Sequence, residues 1–185
     1  MASKWQTLAS KYVLENPWYK VRQDIVIRPD GKEGTYNVVE SGRSVFVIPI
    51  TSSGKIVLIK LYRYTTQHEG WEVPAGGVNK AEDVLVAAKR ELQEETGLTS
   101  ENWDKIGTFD SMNGMSDAAA EVFEARSLTL TSQNEQAEEG ITKVGEFAFE
   151  EVFKMIRNGQ IVDGLSIAAI MQVCVKYGMV SNSKG

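Results

Sequence analysis

The chain reads as an α+β fold, a sandwich of helices about a mixed sheet. Three observations lead there. Strand-like runs crowd its first part, one acidic helix falls mid-chain, and two more helices follow a second set of strands. Its 185 residues make one ordinary domain with a small appended element, enough to bury a core without disulfides. That order of elements is not the one of a doubly wound parallel sheet, and with no GxGxxG and no Walker loop neither standard nucleotide-binding fingerprint applies.

Residues 1–17 are polar with scattered aromatics. VRQDIVIRP (21–29) alternates, PDGKEG is turn chemistry, and TYNVVE is strand-like again, which predicts a β-hairpin. SVFVIPI (44–50) and KIVLIKLYRY (55–64) are strong β runs joined by TSSG, a second predicted hairpin. WEVPAGGV predicts a short strand ending in a glycine loop. A helix follows over Glu82–Thr96, with Glu82 and Asp83 in its first turn and Gly97 as its C-cap. NWDKIGTFDS and AEVFEARSLTL predict strands around the loop MNGMSDAA. SQNEQAEEG is an acidic loop and ITKVGEFAF a strand. FEEVFKMIRNG and GLSIAAIMQVCVKYG predict two helices, the last mostly buried.

Composition narrows the function. A net charge of -5 argues against a partner bound through a nucleic-acid backbone, though an ion can still bridge acidic protein and anionic ligand. The one cysteine, Cys174, reads as a small core residue. The one histidine, His68, excludes multi-histidine metal sites and reads as a plain loop residue. No apolar run reaches the roughly 20 residues of a membrane span, and the N-terminus has no signal-peptide core, so a cytoplasmic location is expected.

The mid-chain helix carries the chemistry. At about 100° per residue, with Glu91 at zero, Glu95 falls near ~40° and Glu94 near ~300°. Val84, Leu85, Ala88 and Leu92 lie between about 20° and about 120°, so the carboxylates border the apolar stripe. Lys89, Glu82 and Gln93 occupy the opposite arc. Three carboxylates at i, i+3 and i+4 repel one another, and more so beside a core. A bound Mg²⁺ or Mn²⁺ relieves that repulsion and favours oxygen ligands. The glycines ahead of the helix let a carbonyl or a substrate approach closely. A solvated acidic helix turn is the plainer alternative.

The same run fills the Nudix signature G-x5-E-x7-R-E-U-x-E-E-x-G-U, where U is aliphatic. Gly76, Glu82, Arg90, Glu91, Leu92, Glu94, Glu95, Gly97 and Leu98 occupy its positions in order. The chain thus resembles the Nudix hydrolases. That resemblance implies a Nudix α/β/α sandwich over 41–185 and hydrolysis of a nucleoside diphosphate linked to another group. It implies metal ligands at Glu91, Glu94, Glu95 and the Ala75 carbonyl, with Mg²⁺ expected and Mn²⁺ possible. Arg90 would orient a glutamate by a charge-assisted hydrogen bond, and Glu82 would support the loop and helix.

LIKLYRYTTQHEGWEVPAGG resembles the ADP-ribose and ADP-sugar pyrophosphatase branch. Arg63 matches an arginine of that branch and becomes a candidate phosphate contact, alongside Gly76 in the substrate loop. Glu72 takes a supporting or ligand role. Residues 1–40 match the branch's N-terminal β-element, which implies a homodimer. Tyr36 falls near the base-contacting position, a packed hairpin tyrosine being the alternative. In the loop SMNGMSD, Gly114 matches the branch and is a candidate substrate contact, while Asn113 stands where proline is usual. The resemblance implies cleavage of ADP-ribose to AMP and ribose 5-phosphate, with a small nucleotide as the only partner besides a second copy. Another nucleotide sugar, such as GDP-mannose or UDP-glucose, is the alternative substrate. A non-catalytic ADP-ribose sensor is the alternative class. The general base is expected from the loop SQNEQAEEGI, at Glu139, with Glu94 competing.

Overall fold

The computed structural model describes residues 4–179; the ends of the two predicted regions, 1–3 and 180–185, lie outside the described residues. Two compact units emerge. One contains the chain through Arg43 together with Phe109–Ala119. The other contains Ser44–Thr108 and the chain from Ala120 onward.

The first unit is an antiparallel meander of β1 (Gln6–Glu15), β2 (Lys20–Ile27) and β3 (Glu33–Glu40). The β2–β3 hairpin stands where the alternation predicts it. Its turn places Gly31 at φ 80°, where a side chain would be strained. β1 was not expected. All ten of its residues are exposed, and its register shifts between Thr7 and Ala9 and again between Tyr12 and Leu14. Bulges break the two-residue period, so an apolar alternation never forms in the sequence. Asn16 closes the β1–β2 turn, its Oδ1 accepting from the N–H groups of Trp18 at 2.8 Å and Tyr19 at 2.9 Å.

The second unit holds β4 (Ser44–Pro49), β5 (Ile56–Arg63), β6 (His68–Glu72), β7 (Ala75–Gly77), α1 (Val84–Thr96) and most of β8 (Leu98–Asp110). β9 (Ala119–Leu130), β10 (Ile141–Phe147), α2 (Phe149–Arg157) and α3 (Gly164–Lys176) complete it. One sheet has the order β10-β5-β6 and the other β7-β4-β9-β8. β4 runs antiparallel to β7 and parallel to β9, so the second sheet is mixed. Among the described residues no helix is long and apolar enough to cross a membrane.

The predicted β4–β5 hairpin is not one. The TSSG turn closes with the Thr51 N–H to the Lys55 carbonyl at 2.9 Å, and Ile50 and Ile56 form one bridge. The strands then part into different sheets. Both are buried nearly throughout, with Val45, Val47, Ile48, Ile56, Leu58 and Ile59 almost wholly covered. A strand buried on both faces needs a partner on each edge, and its apolar run is continuous rather than alternating. His68, read as a loop residue, begins β6 instead.

α1 begins two residues later than predicted. Asp83 is its N-cap, accepting from Leu85 N–H at 2.9 Å, so neither Asp83 nor Glu82 lies in the first turn. Gly97 ends it in the left-handed conformation at φ 71°. Ala87, Ala88 and Leu92 pack on Val45, Val47, Phe123 and Ala125. Cys174 is fully buried within α3, as its surroundings in the sequence predict.

α3 also holds the segment between β6 and β7. Ser166, fully buried, accepts the Val73 N–H on its Oγ at 3.1 Å. Ser166→Ala leaves that buried donor unpaired, and urea denaturation should record a loss of about 1–3 kcal/mol.

Candidate active site

The segment Val73–Gly77 and helix α1 meet across a narrow gap. The Pro74 carbonyl accepts from the Val47 N–H at 2.8 Å, fixing the segment to β4. Ala75 N–H then donates to Glu95 Oε2 at 2.8 Å. A Cβ built on Gly76 would collide with the Glu91 carboxylate. A side chain here would push that carboxylate aside, since it lies against the backbone itself.

Arg90 is the hub. Its Nε donates to Glu82 Oε1 at 3.1 Å, and its Nη1 to Glu91 Oε1 at 2.7 Å and Glu94 Oε2 at 2.8 Å. Nη2 reaches the Gly77 carbonyl at 2.9 Å. Glu82 therefore faces the site and not the opposite arc, because it stands ahead of the helix and escapes the helical angle. It also accepts from Asn79 N–H at 2.8 Å. Arg90 first, and then that N–H, hold its carboxyl below the usual range. The Gly77 carbonyl was not foreseen, since any residue type supplies one.

Burial sets the electrostatics. Glu91 is 8% exposed and Glu95 4% exposed. Loss of water pushes the Glu91 carboxyl up, against the pull of Arg90, and the charges of Glu94 and Glu139 add to the rise. Glu95 is pushed up to about 8, mainly by burial, despite the hydrogen bond from Ala75; Glu91 and Glu139 contribute repulsion. Glu139 sits on the exposed loop after β9. That loop is pinned to α1 by Glu135 N–H to the Glu94 carbonyl at 2.7 Å, and Glu139 N–H returns to the Glu135 carbonyl at 3.0 Å.

Among the described residues, no three His, Cys, Asp or Glu side chains are already gathered as a metal cage. Arg90 explains this, since its Nη1 stands between Glu91 and Glu94 as their counter-cation. The donor chemistry nonetheless fits a hard divalent ion. The set is all oxygen, Glu91 and Glu95 are buried, their charges repel, and the Glu91 carboxylate lies directly against the Gly76 backbone.

A cavity of about 530 Å³ opens beside this cluster, lined by Arg63, Thr65, His68, Glu72, Ala75 and Gly76 among others. Arg63 is not free in it. Its Nη2 lies 2.6 Å from Glu72 Oε2 and its Nε 3.1 Å from Oε1, a two-pronged pair with a carboxylate only 7% exposed. Tyr36 and Gly114 belong to the first unit. Tyr36 donates its hydroxyl to the Gly114 carbonyl at 2.7 Å, and its ring meets Trp5 edge-on at 5.4 Å. Both rings line a cavity of about 260 Å³ with Thr7, Asp24 and Val26. A Cβ at Gly114 would touch nothing, so its observed contribution is a carbonyl and not space. Trp5 was missed because its strand carries no periodicity.

The family model for the NUDIX domain matches residues 40–163. The chain belongs to the Nudix family. A second model, the nucleoside diphosphate sugar hydrolase N-terminal domain, matches residues 5–39. An ADP-ribose pyrophosphatase of Bacillus subtilis is 29% identical over 175 residues, 94% of this chain and 95% of its own. An ADP-ribose pyrophosphatase of Mycobacterium tuberculosis is 30% identical over 171 residues, 91% of this chain and 83% of its own. A crystal structure of an ADP compounds hydrolase superposes with a TM-score of 0.85 at 17% identity, covering 97% of this chain and 98% of that one, a likeness of fold. This Nudix chain is a pyrophosphohydrolase, and the signature helix with its preceding loop is its candidate catalytic centre.

Two outcomes follow from the geometry. Gly76→Ala must displace Glu91, and steady-state assays should show at least a roughly 100-fold fall in kcat with an unchanged circular dichroism spectrum. Glu95 binds its proton more tightly folded than unfolded, so it destabilises the fold as it ionises. In chelator-treated protein the melting temperature should therefore fall as pH rises from about 4.5 towards about 8. Glu91 acts in the same direction. Glu95→Gln should flatten that slope in a calorimetric pH series.

Proposed function

We propose that the enzyme hydrolyses the diphosphate of a nucleoside diphosphate sugar, with ADP-ribose as the preferred substrate and AMP and ribose 5-phosphate as products. The observation that carries this reading is the buried carboxylate pair, Glu91 and Glu95, held against the Ala75–Gly76 backbone at the edge of a polar cleft. The substrate is supported by the relatives named above and by this chain's match to the nucleoside diphosphate sugar hydrolase N-terminal domain.

Glu91, Glu94, Glu95 and the Ala75 carbonyl would hold Mg²⁺, or Mn²⁺ in its place. When bound, the ion supplies positive charge against the diphosphate and acidifies water. Arg90 orients Glu91 and Glu94 through one nitrogen and is itself oriented by Glu82. Water attacks one phosphorus, the bridging P–O bond breaks, and the proton passes to a carboxylate. Glu139 takes that proton in this reading, because its loop is tied to α1 and its charge is felt by both buried glutamates. Glu94 is the competing base. Arg63 meets a phosphate oxygen while Glu72 fixes its plane. Tyr36, in contact with Trp5 and anchored on the Gly114 carbonyl, would stack on the base.

The N-terminal sheet supports a homodimer. Trp5, Leu8, Tyr12, Val13 and Leu14 are all 45% or more exposed, an apolar set that a second copy would cover. The location proposed is the cytoplasm, consistent with a single, buried, unpaired cysteine.

The deciding experiment is a Mg²⁺-supplemented panel of ADP-ribose, ADP-glucose, GDP-mannose, UDP-glucose and a nucleoside triphosphate, with products separated by ion exchange. AMP should appear fastest from ADP-ribose. Faster turnover of another sugar would move the specificity, and no turnover at all would favour a sensor. On the best substrate, Glu139→Gln should lower kcat by roughly 100-fold or more. Near-normal kcat there, with kcat abolished in Glu94→Gln, would assign the base to Glu94. Light scattering should give twice the chain mass, and a monomer would remove the dimer.

A further inference from the structure

The turn joining β5 to β6 carries polar groups that the reaction as described leaves unused. Arg63 and His68 oppose each other directly across this strand pair. Their side chains therefore share a face, which Gly70 and Glu72 continue along β6. Arg63 is committed to Glu72. The side chain of His68, the one histidine of the chain, has no hydrogen-bond or ion-pair partner among the described residues, and neither do the side chains of Thr65 and Thr66. All three line the cavity that also contains Ala75 and Gly76.

The turn is held in place. Gln67 adopts φ 56°, a left-handed conformation rare outside glycine, and its N–H donates to the Arg63 carbonyl at 2.8 Å. Strain of this kind persists where the surroundings impose it, and it sets where the next residue emerges. That residue is His68. Its ring packs beside the buried Gly70, with Nε2 3.7 Å from where a Cβ would be, and it lines the cavity.

The chemistry of this wall selects its ligand. Its one arginine is already matched by a buried carboxylate, and Asp163 adds a second acid to the lining. With one phosphate oxygen on Arg63, a second anionic group would find no other arginine or lysine among the described residues of the lining. Two hydroxyls and an imidazole, each able to donate and accept, suit a neutral polyol. A diphosphate beside Gly76 would direct such a group along this wall.

We propose that Thr65, Thr66 and His68 form the subsite for the sugar carried by the diphosphate, with His68 the specificity-determining residue that reads its hydroxyls. This rests on the nucleoside diphosphate sugar reading above.

The test compares ADP-ribose with the methyl ester of ADP on its terminal phosphate, which keeps the diphosphate and lacks every sugar hydroxyl on that side. In His68→Ala, the ratio of kcat/KM for ADP-ribose to that for the methyl ester should fall about fivefold, the scale of one lost hydrogen bond. His68→Gln, which retains a donor and an acceptor, should recover most of that ratio. An unchanged ratio, or an equal fall on both substrates, overturns the subsite while leaving the nucleotide-sugar reaction in place. Failure of the unaltered enzyme to cleave any nucleoside diphosphate sugar of the panel overturns both.

Discussion

Burying two carboxylates side by side is the constraint on which the rest of this structure depends. Glu91 and Glu95 lie one helical turn apart, nearly out of water, and the charge of Glu91 adds to the burial that raises Glu95's affinity for a proton. Nothing in an isolated helix would tolerate that arrangement. Several elements of the second unit answer it. Arg90 places one nitrogen against Glu91 and Glu94, Ala75 gives its N–H to Glu95, and Gly76 yields the volume of a side chain. The compensation is partial, and what remains uncompensated is the affinity for a cation.

The fold is arranged to hold that partial compensation still. The Val73–Gly77 segment is tied to β4 through Pro74, to α3 through Ser166 and to α1 through Glu95. Arg90 is oriented by Glu82, which the Asp83 cap leaves just outside the helix. A helix starting at Glu82 would have turned that carboxylate to solvent and left Arg90 with one anchor fewer. The acidic loop after β9 is fastened to the other end of the same helix. Both the glycine loop and the loop bearing Glu139 therefore take their positions from α1.

Legibility in the sequence varied with how local the cause was. The β2–β3 hairpin, the helices and the apolar stripe of α1 were readable because each follows from a short-range period. β1 was not, since two bulges erase its alternation and none of its residues is buried. The TSSG segment has hairpin chemistry, yet its flanking strands join different sheets because each is covered on both faces. At the site, Glu91, Glu94, Glu95 and Arg90 stood out by spacing. The roles of the Gly77 carbonyl, Ser166 and Trp5 did not, because backbone atoms and distant contacts leave no pattern in residue types.

By itself, the sequence determined the order of elements, the helix that gathers the acidic groups, and the glycine that must precede it. Those features depend on helical periodicity and on the size of one residue, both written locally. Only the tertiary structure decided how the acids are balanced: which carboxylate meets Arg90, which meets a backbone N–H, and that Arg63 spends its charge on Glu72. It also decided that His68 emerges into the cleft, since the turn before it is closed by a bond back to Arg63. Balance among charges depends on burial and distance in three dimensions, and neither quantity is a property of residue order.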